Sequence, residues 1–149
     1  LTGDLEVSVD DPGVLAGRRV LVIEDGPTVT HGGMAYGAGL VAARRYGLDR
    51  LVDPRGCAVG SIRDTLDTFD QLREVLPAMG YSDRQRAELK ESIEKSGAEV
   101  VLNASPADIA SLLELAIPVV QVRYRFVPRE GEDIMARVRA LLAGAPVDR

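Results

Sequence analysis

Between Glu24 and Met34 the chain sets two carboxylates (Glu24, Asp25), two hydroxyls (Thr28, Thr30), its only histidine (His31) and a glycine pair (Gly32, Gly33) within one short stretch. That inventory suits an anion. Gly32, Gly33 and Met34 can offer backbone N–H groups, Thr28 and Thr30 can offer hydroxyls, and the glycines remove side chains that would block approach. A histidine can carry charge or pass a proton at neutral pH, so His31 suits either a contact with phosphate or acid–base work. Glu24 and Asp25 are hard oxygen ligands for a Mg²⁺ carried by phosphates, or else carboxylates that cap loop N–H groups.

Such a loop needs a strand behind it and a helix ahead. Val20-Leu21-Val22-Ile23 is a continuous apolar run of the kind buried on both faces of a parallel sheet, and Met34 to Tyr46 is rich in small residues that let a helix lie close. The arrangement repeats at Leu51-Val52, a short strand opening into a loop over 53–61, where Ser61 can cap the next helix or touch the anion. In this loop Arg55 is placed either to grip a phosphate or carboxylate in bidentate fashion or to pair with Asp53 or Asp25. Ile62, Leu66, Phe69, Leu72 and Leu76 form the stripe of one amphipathic helix or two short ones, which Pro77 stops. Ser82 reads as the N-cap of a helix from Asp83 to Ser96, and Gly97 as its end. Val100 to Leu102 is a third strand, after which Ser105 and Pro106 read as N-cap and first helical residue, with Ile109, Leu112, Leu113 and Ala116 on the helix face. Val119 to Phe126 alternates, as an edge strand or a strand lining a site would. Its Arg123 and Arg125 share a face that is either a positive pocket wall or a solvated edge, the edge being the reading for Arg125. Leu5 to Val9 alternates like a half-exposed strand, and Ile134, Val138, Leu141 and Leu142 mark a last helix.

This alternation predicts an α/β three-layer sandwich of Rossmann-like type, with a mostly parallel sheet of four or five strands and helices on both faces. The three loops that follow the first buried strands are expected at one end of the sheet. With 149 residues, 1–149 reads as a single domain able to bury a core without metals or disulfides. A net charge of −5 without any dense basic block argues against a nucleic-acid surface. The single cysteine, Cys57, forms no internal disulfide and has no zinc-type neighbours; it reads as inert, and its presence alone points to a reducing, cytoplasmic setting. No run is long enough to span a bilayer as a helix, and no signal-type segment occurs. Tyr36 and Tyr81 read as packing residues. The first residue, Leu1, and the absence of a helix before the first strand suggest a piece of something longer.

The segment from Arg19 to Gly39 closely resembles the C-terminal region of the cyclic 2,3-diphosphoglycerate synthetase family and its GTPase-like relatives. Val52-Asp53-Pro54-Arg55, Ala58-Val59-Gly60-Ser61, Leu76 to Tyr81 and Pro118 to Tyr124 follow in the same order, so the resemblance spans nearly the whole chain. It departs from the family at Gly56-Cys57, where the family carries Pro-Tyr, and at Ala104-Ser105-Pro106, where it carries Gly-Thr-Pro. The resemblance implies the C-terminal substrate-binding part of a ligase-type enzyme whose upstream P-loop domain uses ATP or GTP with Mg²⁺, this part holding a phosphorylated small metabolite. The chain itself contains no GxxxxGK[ST], so by itself it is not expected to turn over nucleotide. The competing expectation is a non-catalytic interaction or dimerisation module, possible as a homodimer, of a GTPase-like protein.

Overall fold

The computed structural model describes residues 3–31, 33–80, 82–128 and 134–143, without the side chains of Thr28, Ile134 and Arg137. The expectations for Gly32 and Tyr81, for the Thr28 hydroxyl and for Ile134 on the last helix face lie outside what it describes. Two compact units are present, a larger one from Val7 to Arg123 and a smaller one made of Leu1–Glu6 with Tyr124–Arg149.

The strands are β1 (Gly3–Val9), β2 (Val20–Asp25), β3 (Leu76–Ala78), β4 (Val100–Asn103) and β5 (Val119–Pro128), in the sheet order β1-β5-β4-β2-β3. β2 pairs in parallel with β3 and with β4, and β4 in parallel with β5. Val20, Leu21, Val22 and Ile23 have no exposed surface, so both faces of β2 are covered, as the continuous apolar run requires. Val100, Val101 and Leu102 are equally buried beside it, and the core is built around these two strands. The chain therefore has the α/β architecture expected of it, with five strands.

The helices are α1 (Gly26–His31), α2 (Ala38–Arg45), α3 (Gly60–Thr68), α4 (Asp83–Lys95), α5 (Ile109–Leu113) and α6 (Ile134–Leu142). The α4 helix begins where its sequence says, because Ser82 and Gln85 form a reciprocal capping box, and Gly97 follows it at φ +61°. The smaller unit holds the start of β1, the end of β5 and α6. Within it Arg125 pairs with Glu6 at 2.6 Å, and a Cβ on Gly3 would overlap the Phe126 ring.

Six expectations are corrected. Gly26 to His31 is a helix rather than a loop, since Pro27 suits a first turn and Gly26 passes so close to β3 that a Cβ there would lie 2.6 Å from the Ala78 carbonyl oxygen. The next helix starts at Ala38, not Met34, because the Glu24 carboxylate fixes its first turn. Leu51 makes only an isolated bridge to Val20, and the strand that pairs there with β2 is Leu76–Ala78. A proline is tolerated in β3 because that strand forms the sheet edge, and α3 accordingly ends at Thr68, leaving Leu72 and Val75 to fill the core from a turn. The α5 helix is capped by Asp108 rather than Ser105, since Asn103 holds Ser105 to Ala107 in a turn. Finally, β5 is not an edge strand: β1 lies beside it, and Asp10 takes Arg123 in a two-point contact at 2.5 and 2.8 Å.

Candidate functional site

In the larger unit β2 is central, with β3 on one side and β4 on the other, so the chain reverses its direction of sheet growth at β2. Open parallel sheets bind ligands outside the carboxyl ends of their strands at such a reversal. Two cavities lie there. The first, of about 220 Å³, is lined by Gly26, Pro27, Thr30 and His31 from α1, Thr65 and Phe69 from α3 and its end, and Ala78 and Met79 from β3 and just beyond. The second, of about 180 Å³, is lined by Asp25, Ala78 and Gly80, by Leu89 of α4, and by Ser105, Pro106, Ala107, Ile109 and Leu112.

Successive residues of a strand point to opposite faces, and Glu24 and Asp25 diverge accordingly. Glu24 is 2% exposed, and its Oε1 accepts the backbone N–H groups of Gly37 at 3.0 Å and Leu40 at 2.9 Å. It thus fills the N-terminus of α2, the place where an anion was expected. Burial raises its pKa, and the N–H groups of Leu40, Gly39 and Gly37 oppose that rise. Gly37 makes room for the carboxylate, since a Cβ there would sit 2.5 Å from Oε2. Asp25, by contrast, reaches the second cavity. Among the described residues no group of three or more His, Cys, Asp or Glu is placed to hold a metal ion.

The other expected site residues do not converge on one place. Thr30 and His31 meet at the first cavity: the Thr30 hydroxyl lies 2.8 Å from the Gly26 carbonyl oxygen and 3.1 Å from His31 Nδ1. Gly33, at φ +62°, and the exposed Met34 line neither cavity. Arg55 lies over the turn before β3, with Nη2 3.2 Å from the Asp70 carbonyl oxygen, while its backbone N–H is taken by Asp53. Ser61 donates its N–H at 3.0 Å and its hydroxyl at 2.5 Å to the Glu88 carboxylate of α4. Arg123 is bound by Asp10, which lowers the Asp10 pKa and raises that of Arg123. Cys57 is buried, donates its thiol to the Pro54 carbonyl at 3.2 Å, and is pushed up in pKa chiefly by burial.

Sequence reasoning missed Thr65, Phe69 and Met79 on the first cavity and Leu89, Ile109 and Leu112 on the second. It also missed the buried Asn103, whose amide donates to the Ala107 carbonyl and to Gln121 Oε1, both at 2.8 Å, while its Oδ1 accepts the Ser105 N–H and hydroxyl. An asparagine closing an otherwise apolar strand was the available signal, because such a side chain must find partners in the turn that follows.

The Ser61–Glu88 contact has a testable consequence. Hydrogen bonds from Ser61, then Arg84, bring the Glu88 pKa down from 4.5 to about 2. A depressed carboxylate stabilises the fold fully above its unfolded value and loses that contribution as pH falls through the folded one. The acid limb of wild-type stability between about pH 4.5 and 2 should therefore be steeper than that of Glu88→Gln, in urea titrations at stepped pH. Parallel limbs would show that Glu88 titrates alike in both states.

Over 118 residues the chain is 48% identical to the arginine synthetase ArcE of Thermococcus kodakarensis, a stretch that makes up 79% of this chain and 26% of that protein. The chain thus spans about a quarter of the length of the curated relative it matches. No family model matches the chain, and no solved structure matches it. The similarity is to part of a synthetase, and a cyclic 2,3-diphosphoglycerate synthetase does not appear in it.

Proposed function

We propose that this chain is the acceptor-binding region of an ATP-using synthetase, and that the acceptor is an amino-acid-type compound carrying a nitrogen-bearing polar end on an aliphatic stem. The observation that carries this reading is the lining of the second cavity, where Asp25 stands among the aliphatic residues Leu89, Ile109 and Leu112. A carboxylate beside an aliphatic wall suits a guanidinium or ammonium with its stem packed below. At about 180 Å³, and ~30 Å³ per water, the space takes roughly six atom-sized groups, a side chain rather than a nucleotide. The similarity to a protein named arginine synthetase supports the same chemistry. ATP or GTP with its Mg²⁺ would then be handled by a P-loop domain outside this chain, which has no P-loop lysine of its own.

A phosphorylated acceptor held by the 26–34 segment is supported less well. The first-turn N–H groups of α2 are engaged by Glu24, Ser61 faces Glu88, and Arg123 faces Asp10. A second reading, an interaction or dimerisation module, draws on the exposed Met135, Leu141 and Leu142 of α6. Calorimetry with L-arginine, and separately with inorganic phosphate and 2,3-diphosphoglycerate, separates the three. Arginine is expected to bind, and Asp25→Asn to weaken it about tenfold or more, the ~1.4 kcal/mol scale of a charged hydrogen bond. Arginine binding untouched by Asp25→Asn and Leu112→Ala would remove the second cavity from consideration. Heat with the phosphates alone would restore the phosphorylated acceptor, and heat with none would favour the interaction module.

A further inference from the structure

We infer that Thr30 is a positioning residue that fixes the tautomer of His31, so that His31 presents an unprotonated Nε2 at the first cavity and takes a proton there from a bound N–H or O–H donor. The hydroxyl of Thr30 has one proton. Its Oγ1 lies 2.8 Å from the carbonyl oxygen of Gly26, one helical turn back, and that acceptor takes the proton. What remains on Oγ1 is lone-pair density, and His31 Nδ1 lies 3.1 Å from it. A contact between that oxygen and Nδ1 is favourable when Nδ1 carries the hydrogen. In a neutral imidazole one nitrogen donates and the other accepts, so a hydrogen on Nδ1 leaves the lone pair on Nε2.

The surroundings give that lone pair a use. Thr30 and the exposed His31 line the first cavity together with Phe69, Ala78 and Met79, so a donor bound in that cavity can approach the imidazole. Ala78 lines both cavities, so the cavity that His31 lines shares a wall residue with the space assigned above to the acceptor. In a synthetase the acceptor nitrogen or oxygen must shed a proton as it attacks. The balanced step here is transfer of that proton to His31 Nε2, giving an imidazolium with hydrogens on both nitrogens, while the electron pair of the broken N–H or O–H bond stays on the acceptor. The inference rests on the proposed function only for the identity of the proton donor; the tautomer is a property of the chain alone.

The chain holds one histidine, so its ring nitrogens can be read without assignment by mutation. Long-range ¹H–¹⁵N correlation spectra of the whole chain, recorded where His31 is neutral, are expected to show Nδ1 protonated and Nε2 as the unprotonated, pyridine-type nitrogen. Thr30→Val removes the oxygen and should move the population to the Nε2–H form, whereas Thr30→Ser, which keeps the hydroxyl, should restore the wild-type pattern. A wild-type spectrum with Nε2 protonated would overturn the inference, and so would a Thr30→Val spectrum unchanged from wild type. None of these spectra depends on a ligand, so they can fail while arginine still binds, and can succeed while it does not.

Discussion

Glu24→Ala is expected to destabilise the fold by about 2–4 kcal/mol, because it strips the first turn of α2 of its acceptor and leaves buried N–H groups without one. The groups affected are those of Gly37 and Leu40, which Oε1 now accepts at 3.0 and 2.9 Å from a carboxylate that is 2% exposed. Glu24→Gln should behave differently, since its amide oxygen can accept the same N–H groups without a buried charge. The pH dependence has a definite sign. The pKa of Glu24 is raised above 4.5 by burial, so the folded state holds its proton more tightly than the unfolded one, and this group's contribution to stability declines as pH rises from 4.5 through the folded value. Glu24→Gln lacks that slope. Urea midpoints at pH 4 and pH 7 should therefore show the glutamine variant gaining on wild type at the higher pH, with the alanine variant lowest at both. A glutamine variant that loses ground between pH 4 and pH 7 would mean that the N–H groups outweigh burial and hold the carboxylate ionised.

Most of the scaffold was legible because it is written locally. The apolar runs at Val20–Ile23 and Val100–Leu102 are four and three residues that a helix would leave half-exposed and a doubly covered strand does not. The cap of α4 was legible because Ser82 and Gln85 are three residues apart. What escaped was set by contacts at long range. A three-residue strand containing Pro77 carries no periodicity, and only its place beside β2 makes it a strand. The helix from Gly26 to His31 was hidden because Gly-Pro-Thr reads as a turn until one sees that the glycine is demanded by the Ala78 carbonyl.

The same division runs through the candidate site. Thr30 and His31 were singled out together because they are neighbours in sequence, and they share a cavity. Ser61 and Arg123 were credited with free hydrogen-bonding capacity, yet their carboxylate partners lie 27 and 113 residues away. Types and spacing show which groups are present; they do not show which carboxylate the fold will set against each. An electrostatic inventory of a loop therefore overstates what is available to a ligand wherever acidic residues outnumber basic ones, as they do here by 23 to 18.

Asn103→Ala carries the second large effect, expected at about 2–4 kcal/mol and accompanied by loss of whatever the second cavity binds. The side chain has no exposed surface and ties three segments: its Nδ2 donates to the Ala107 carbonyl and Gln121 Oε1 at 2.8 Å, and its Oδ1 accepts from the Ser105 N–H at 3.1 Å and hydroxyl at 2.8 Å. Removing it takes a partner from Ala107 and Gln121 and leaves the donor on buried Ser105 without its acceptor, and it frees the Ser105–Ala107 turn that forms one wall of the cavity. Asn103→Asp keeps the Oδ1 contacts but turns the donor into a second acceptor facing the Ala107 and Gln121 oxygens, so it should be no milder than alanine. Gln121→Ala provides the contrast. It removes one partner of Asn103 and the 2.9 Å bond from Gln121 Nε2 to the Ser105 carbonyl, but leaves Asn103 bound to Ala107 and Ser105, so it should cost less than Asn103→Ala. Chemical denaturation gives the order, and hydrogen exchange at the backbone N–H groups of Ser105 and Ala107 shows whether the turn has opened. If Asn103→Ala is as stable as Gln121→Ala, and the Ser105 amide stays protected, the turn is held by the strand and helix on either side of it, and Asn103 is not what shapes the cavity wall.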